Sequence, residues 1–148
     1  MGMVNITQKP VIKRLAEAEG KILLSPETIQ KVRDCSIKKG DPIIVAEIAA
    51  INAAKQTCLL IPHCHQIPLD MVEVDFEISK GYIKAKCLVK AEAKTGVEME
   101  ALVGISMALN TIWDMVKYLE KDSLGQYPET RITGIKVIRK DKEPVPNP

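Results

Sequence analysis

The chain predicts an α+β fold, one antiparallel sheet with helices packed on one face. Three observations carry this. Two strictly alternating runs, Met71–Ile78 and Ile83–Val89, are joined by Lys80-Gly81; two helix-start signals, Ser25-Pro26-Glu27 and Asp41-Pro42, lie ahead of them; and a long apolar helical stretch follows, ending before a last alternating run, Thr130–Arg139.

Taken in order, residues 1–20 are polar and irregular and read as a mobile N-terminal arm carrying Lys9, Lys13 and Arg14. Lys21–Leu24 is a short strand. Ser25 as N-cap, proline at the first helical position and Glu27 in the first turn start a helix that should stop before Lys39-Gly40. Asp41-Pro42 repeats the signal. From Ile43 to Leu60 apolar and alanine positions cover nearly the whole circumference, so this second helix is expected to be deeply buried until Pro62 ends it.

The alternating runs then form a hairpin, with Val72, Val74, Phe76 and Ile78 facing Ile83, Ala85, Cys87 and Val89, and acids opposite lysines on the outer face. Thr95 and Glu98 read as a capping box for a third helix running to about Lys121. Residues 140–148, with three prolines and several charges, are expected to be a disordered tail. Residues 21–139 then make one domain. Counting the two early helices as one layer, the order is βαββαβ, which is ferredoxin-like.

Composition narrows the function classes. With 148 residues and 46% hydrophobic content, one core is expected, burying roughly two-thirds of the unfolded surface. A net charge of +2 is too near neutral to predict duplex nucleic acid as a partner. No apolar run approaches the roughly 20 residues of a membrane span, and no leader precedes the first strand, so a cytoplasmic protein without membrane contact is expected. Cys35, Cys58, Cys64 and Cys87 lack a repeated pair motif and read as free thiols.

Candidate chemistry concentrates in three places. The only two histidines stand together in His63-Cys64-His65 after Pro62. Neutral imidazole both donates and accepts hydrogen bonds, which suits a polar heterocycle. Two other readings compete: a structural loop with solvated histidines, and zinc on Cys58, His63 and His65, the latter weakened because Cys58 falls inside a helix and no fourth ligand stands at standard spacing. Asp114 and Lys117, three residues apart, share a face of an apolar helix, where a carboxylate is costly unless it serves a site or an interface; spacing alone equally fits a plain intrahelical ion pair at the protein surface. Glu100, Met107 and Asp114 form one stripe along that helix. Lys39, beside a helix start, suits phosphate, and Lys55 is a cation in an otherwise apolar helix.

Together these stretches resemble the MoaC family, the cyclic pyranopterin monophosphate synthases of molybdenum-cofactor biosynthesis. The matching segments are Met3-Val4-Asn5-Ile6, Lys39-Gly40-Asp41, Ala53–Thr57, Leu60–His65, Lys94–Leu102 and Asp114–Lys117. The resemblance implies a lyase that converts 3′,8-cyclo-7,8-dihydro-GTP to cyclic pyranopterin monophosphate with release of pyrophosphate. It assigns proton transfer to Asp114 and Lys117, substrate binding to His63, Cys64, His65, Met99 and Glu100, and the triphosphate to Lys39, Lys55 and Arg14. It implies no required cofactor and no protein-held metal, with Mg²⁺ on the substrate triphosphate left open. It also implies a homohexamer, a trimer of dimers with sites at the dimer interface. Two departures stand out: Asn5 stands where the family usually has aspartate, and the Gly-Lys-rich loop near the C-terminus of many members is missing, so its contacts would either pass to Arg131 or Lys136 or be absent. The reading from another class is a ferredoxin-like ligand-binding subunit without catalysis.

Overall fold

Small residues at the inward positions of the first strand set the thickness of the molecule. The computed structural model describes residues 1–145. β1 runs from Ile12 to Leu23, with Ala16, Ala18 and Ile22 fully buried. At Gly20 an added Cβ would lie 2.8–3.0 Å from Leu109, Ile135 and Ile105, so this backbone is in near contact with the helix above it. The strand therefore begins well before Lys21. Residues 12–20 are not part of a loose arm, because alternation of alanine with glutamate is a strand pattern whose inward face is simply small.

α1, Pro26–Arg33, is capped by the Ser25 hydroxyl, which accepts from the Thr28 amide at 3.2 Å. It ends earlier than expected, at a turn in which Cys35 takes a left-handed conformation (φ 52°). α2, Pro42–Lys55, is capped by Asp41, which accepts from the Ile43 amide at 2.8 Å. The apolar run to Leu60 is not one helix: it breaks at Gln56, and α3 covers only Thr57–Leu60. Nor is α2 deeply buried. Its alanines Ala46, Ala50, Ala53 and Ala54 are, but Ile44 and Ile48 are 55% and 56% exposed and Leu59 and Leu60 of α3 are exposed as well.

β2, Met71–Ile78, and β3, Tyr82–Ala93, form the expected hairpin. α4 spans Glu98–Glu120, and its N-cap position is Val97, with no side-chain cap. The Thr95–Glu98 capping box is not formed, because the Glu98 carboxylate pairs with Lys140 instead. β4 runs from Arg131 to Glu143. The disordered tail expected from residue 140 is thus shorter: Lys140, Asp141, Lys142 and Glu143 pair with Ala16, Leu15, Arg14 and Lys13, and residues 146–148 lie outside the described part.

The sheet order is β2-β3-β1-β4, all antiparallel, the ferredoxin-like arrangement. α4 lies across β1, β3 and β4, and α2 packs on α4 and β2. Ile105, Leu109, Ile112 and Val116 of α4 meet Ile22, Ile83, Cys87 and Val89 in a single core. The opposite face is open and charged. Its short contacts run across β1 rather than within the hairpin, with Glu19 taking Lys84 at 3.1 Å and Lys136 at 3.7 Å.

Candidate active site

Two polar clusters sit at opposite ends of α4. At its C-terminal half, Asp114 is the hub. Lys39 donates to its Oδ2 at 2.6 Å and to its backbone carbonyl at 3.0 Å, while Lys117, one helical turn on, donates to Oδ1 at 2.8 Å. Lys39 stands in the connection between α1 and α2, where Gly40 (φ 100°) makes the turn and the Lys38 amide is tied to the Tyr118 hydroxyl at 3.0 Å. The Asp114 side chain is 56% exposed, so it does not lie on a buried face as the apolar run suggested; the core-facing residues of that turn are Met115 and Val116. Hydrogen bonds from Lys117 and then Lys39 hold its carboxyl down at about 2, and Asp114 in turn raises Lys117. At neutral pH the triad is one carboxylate between two ammonium groups. Its net positive charge suits a phosphate, and its lysines carry the protons.

At the N-terminal end of α4, a cleft of about 260 Å³ is formed by Cys64, His65 and Ile67 on one wall and Thr95, Gly96, Glu98, Met99 and Glu100 on the other. His63 is exposed and does not line it. Glu100 is 4% exposed, and its Oε2 has no hydrogen-bond partner. Burial, and secondarily Glu98, push its carboxyl up. For Glu98 burial acts in the same sense, but the Lys140 ammonium, its own amide and Arg14 prevail and lower it. Two carboxyls two residues apart are thus shifted in opposite directions, the kind of separation by which acid and base roles are divided. Burial, with Glu100 and Cys58 nearby, raises the Cys64 thiol, which disfavours a thiolate.

The expected residues therefore do not form one group within one chain. Glu100 and Asp114 are 14 positions apart on a single helix, about 21 Å along its axis. Met107 between them is exposed, so the stripe is real in rotation but only its first member is enclosed. Lys55, the last residue of α2, is exposed rather than buried. Arg14 donates to the carbonyls of Ala93 and Lys94, both at 3.3 Å. It borders a separate hollow of about 530 Å³ on the open sheet face and is not with Lys39. Lys136 is taken up by Glu19 on that open face, and Arg131 contacts the Glu129 carbonyl; neither reaches a cluster.

Sequence reasoning missed Glu98 as a cleft residue and Lys140 as its ion-pair partner. In sequence Glu98 reads as a helix cap and Lys140 as part of a proline-ended tail. Arg139 to Glu143 are all charged, so no apolar alternation marked Lys140 as a strand residue; Gly96, whose missing Cβ leaves room for the Glu98 carboxylate, was the signal for Glu98. Among the described residues no three His, Cys, Asp or Glu side chains converge to hold a metal ion, so Cys58, His63 and His65 form no zinc set. No described helix is long and apolar enough to cross a membrane.

Fold and site together define a ferredoxin-like protein with a lysine-bound carboxylate at one end of its long helix and a histidine-lined cleft at the other. The MoaC family model matches residues 3–143, and the chain belongs to the MoaC family. It is 54% identical over 140-odd residues to a probable cyclic pyranopterin monophosphate synthase of Thermococcus onnurineus, covering 95% of this chain and 90% of that one. It is 49% identical to a probable synthase of Thermoplasma acidophilum, covering 97% of this chain and 100% of the other. It is also 52% identical to a protein of Methanothermobacter thermautotrophicus named a probable synthase accessory protein, covering 95% and 88%.

Proposed function

We propose that this protein is a cytoplasmic cyclic pyranopterin monophosphate synthase that converts 3′,8-cyclo-7,8-dihydro-GTP to its product with release of pyrophosphate. The observation that carries the reading is the Asp114 triad, set in a MoaC-family chain whose other cluster is a histidine-lined cleft. Lys39 and Lys117, with Lys55 exposed at the end of α2, supply the positive charge that favours a triphosphate and its leaving pyrophosphate. An aspartate held at about 2 is a weak base while both lysines remain bound. Its role is to orient two ammonium groups, and a phosphate that draws Lys39 away frees it to exchange a proton with Lys117. Glu98, Glu100, Met99, Cys64 and His65 receive the ring, with Lys140 holding Glu98 ionised. Any Mg²⁺ enters on the triphosphate.

The reaction needs both clusters on one substrate, and about 21 Å of helix separates them in one chain. α2 joins them, starting after Lys39 and leading through α3 to His63, and it exposes Ile44, Val45 and Ile48 along the way. We propose that a second copy docks antiparallel on this apolar face and brings its own Asp114 to this chain's cleft. Such a two-fold contact builds two equivalent sites, and three of these dimers make the homohexamer.

The test is incubation of the purified protein with the cyclised dihydro-GTP intermediate, following pyrophosphate release and the fluorescence of the oxidised pterin, beside Asp114→Asn. Turnover by the wild type and none by the variant is expected. The name of the Methanothermobacter relative favours a second reading, a non-catalytic partner of the synthase. Tight binding of the intermediate without turnover would select it.

A further inference from the structure

We infer that the segment Met3–Lys9 is a positioning strap of the cleft, which holds the His65 imidazole as its Nε2–H tautomer and so offers the Nδ1 lone pair to an N–H of the bound heterocycle. His65 Nε2 lies 2.7 Å from the Val4 carbonyl oxygen. A carbonyl only accepts, so Nε2 carries the hydrogen, and the other nitrogen of the neutral ring is left as acceptor. Among the described residues Nδ1 has no hydrogen-bond partner. The ring is half-buried and lines the cleft.

The strap is fixed on the other wall too. Lys94, which precedes Thr95 and Gly96, donates to the Thr7 carbonyl at 3.0 Å. Between these anchors its shape is locally encoded: Asn5 Oδ1 accepts from the Thr7 amide at 2.9 Å, an Asx turn, and the Lys9 amide donates to the Ile6 carbonyl at 3.0 Å. A segment that touches both walls limits how far they part, and Val4 acts on the ligand only through His65. The ligand chemistry this selects is a planar heterocycle with a ring N–H or amino donor. Naming that donor rests on the synthase reading, whereas the tautomer does not.

Because the chain has only two histidines, a long-range ¹⁵N–¹H spectrum of the ring nitrogens is simple, and His63→Gln assigns it. At a pH about two units above the ordinary imidazole value, His65 should be protonated at Nε2 and bare at Nδ1. Asn5→Ala and a chain lacking residues 2–7 should both lose this fixed tautomer, and the KM of the intermediate should rise about tenfold with kcat nearly unchanged. Asn5→Asp, which retains the acceptor for Thr7, should keep both properties. An Nδ1–H or freely exchanging His65 in the intact chain would overturn the inference, as would a tautomer unchanged by the truncation. Absence of turnover in every form would count against the synthase reading and leave the spectrum to decide the strap.

Discussion

Lys39 and Asp114, 75 positions apart in the chain, meet at 2.6 Å. The contact ties the loop ahead of α2 to the penultimate turns of α4, and Lys117 closes it from the other side. A three-membered set on two elements is fixed in space in a way that the Asp114–Lys117 pair alone, free on one exposed helix face, would not be.

The triad predicts an abnormal titration. The Asp114 carboxyl should titrate at about 2 rather than at 3.8, followed by its ¹³C signal. A folded value below the unfolded one means that its contribution to stability is present above pH about 3.8 and is lost as pH falls through about 2. In Lys117→Met the midpoint should move up toward the ordinary value, because the larger of the two lysine hydrogen bonds is gone. An unshifted wild-type midpoint would mean the triad is not formed in solution.

Removing a single cation should weaken the hold on the triphosphate. Lys39→Ala and Lys55→Ala should each raise the Kd of the intermediate about tenfold, measured by calorimetry. Lys39→Ala should also raise the Asp114 titration midpoint, whereas Lys55→Ala should leave it in place. Unchanged affinity in both variants would remove the phosphate assignment.

Glu120 predicts an acid-sensitive joint. It accepts from the Ser25 amide and hydroxyl at 3.1 and 2.9 Å and from the Thr130 hydroxyl at 2.6 Å, which fastens the end of α4 to the starts of α1 and β4. Burial opposes its ionisation, but the Thr130, Thr28 and Ser25 hydrogen bonds outweigh it and lower the carboxyl. The stability it contributes is therefore full above the ordinary value of 4.5 and lost as pH falls through its lower folded value. Glu120→Ala should cost about 1–3 kcal/mol in urea unfolding at neutral pH, with the difference from wild type shrinking in acid.

Gly20→Ala should cost about 1–3 kcal/mol, since its Cβ would press on Leu109 and Ile105, both fully buried in the packed core, at 2.8 and 3.0 Å, and on the exposed Ile135 at 2.9 Å. Urea unfolding measures it. A neutral result would show that these side chains shift freely.

Much of the fold was legible because the hairpin alternates and the helix starts carry Ser-Pro and Asp-Pro signals. The start of β1 was not, since alanine and glutamate are also good helix formers and only the partner strands decide between the two readings. The exposed half of α2 was unreadable for a related reason: an apolar residue looks the same in sequence whether it meets its own sheet or a second chain. The site was legible as residue types. Its division was not, because the stripe of Glu100, Met107 and Asp114 records rotation about the helix and hides what covers each turn. Lys140 was hidden by prolines that begin only at Pro144.

The most direct measurement mixes two inactive variants. At a concentration of the cyclised intermediate far below KM, where loss of a ring contact is read as loss of rate, Asp114→Asn and His65→Ala should each lack measurable turnover. Mixed in equal amounts and allowed to exchange chains, they should regain about a quarter of wild-type activity, because half the dimers are then mixed and one of their two sites is intact. A mixture that exchanges chains and stays inactive would contradict a site shared between two copies.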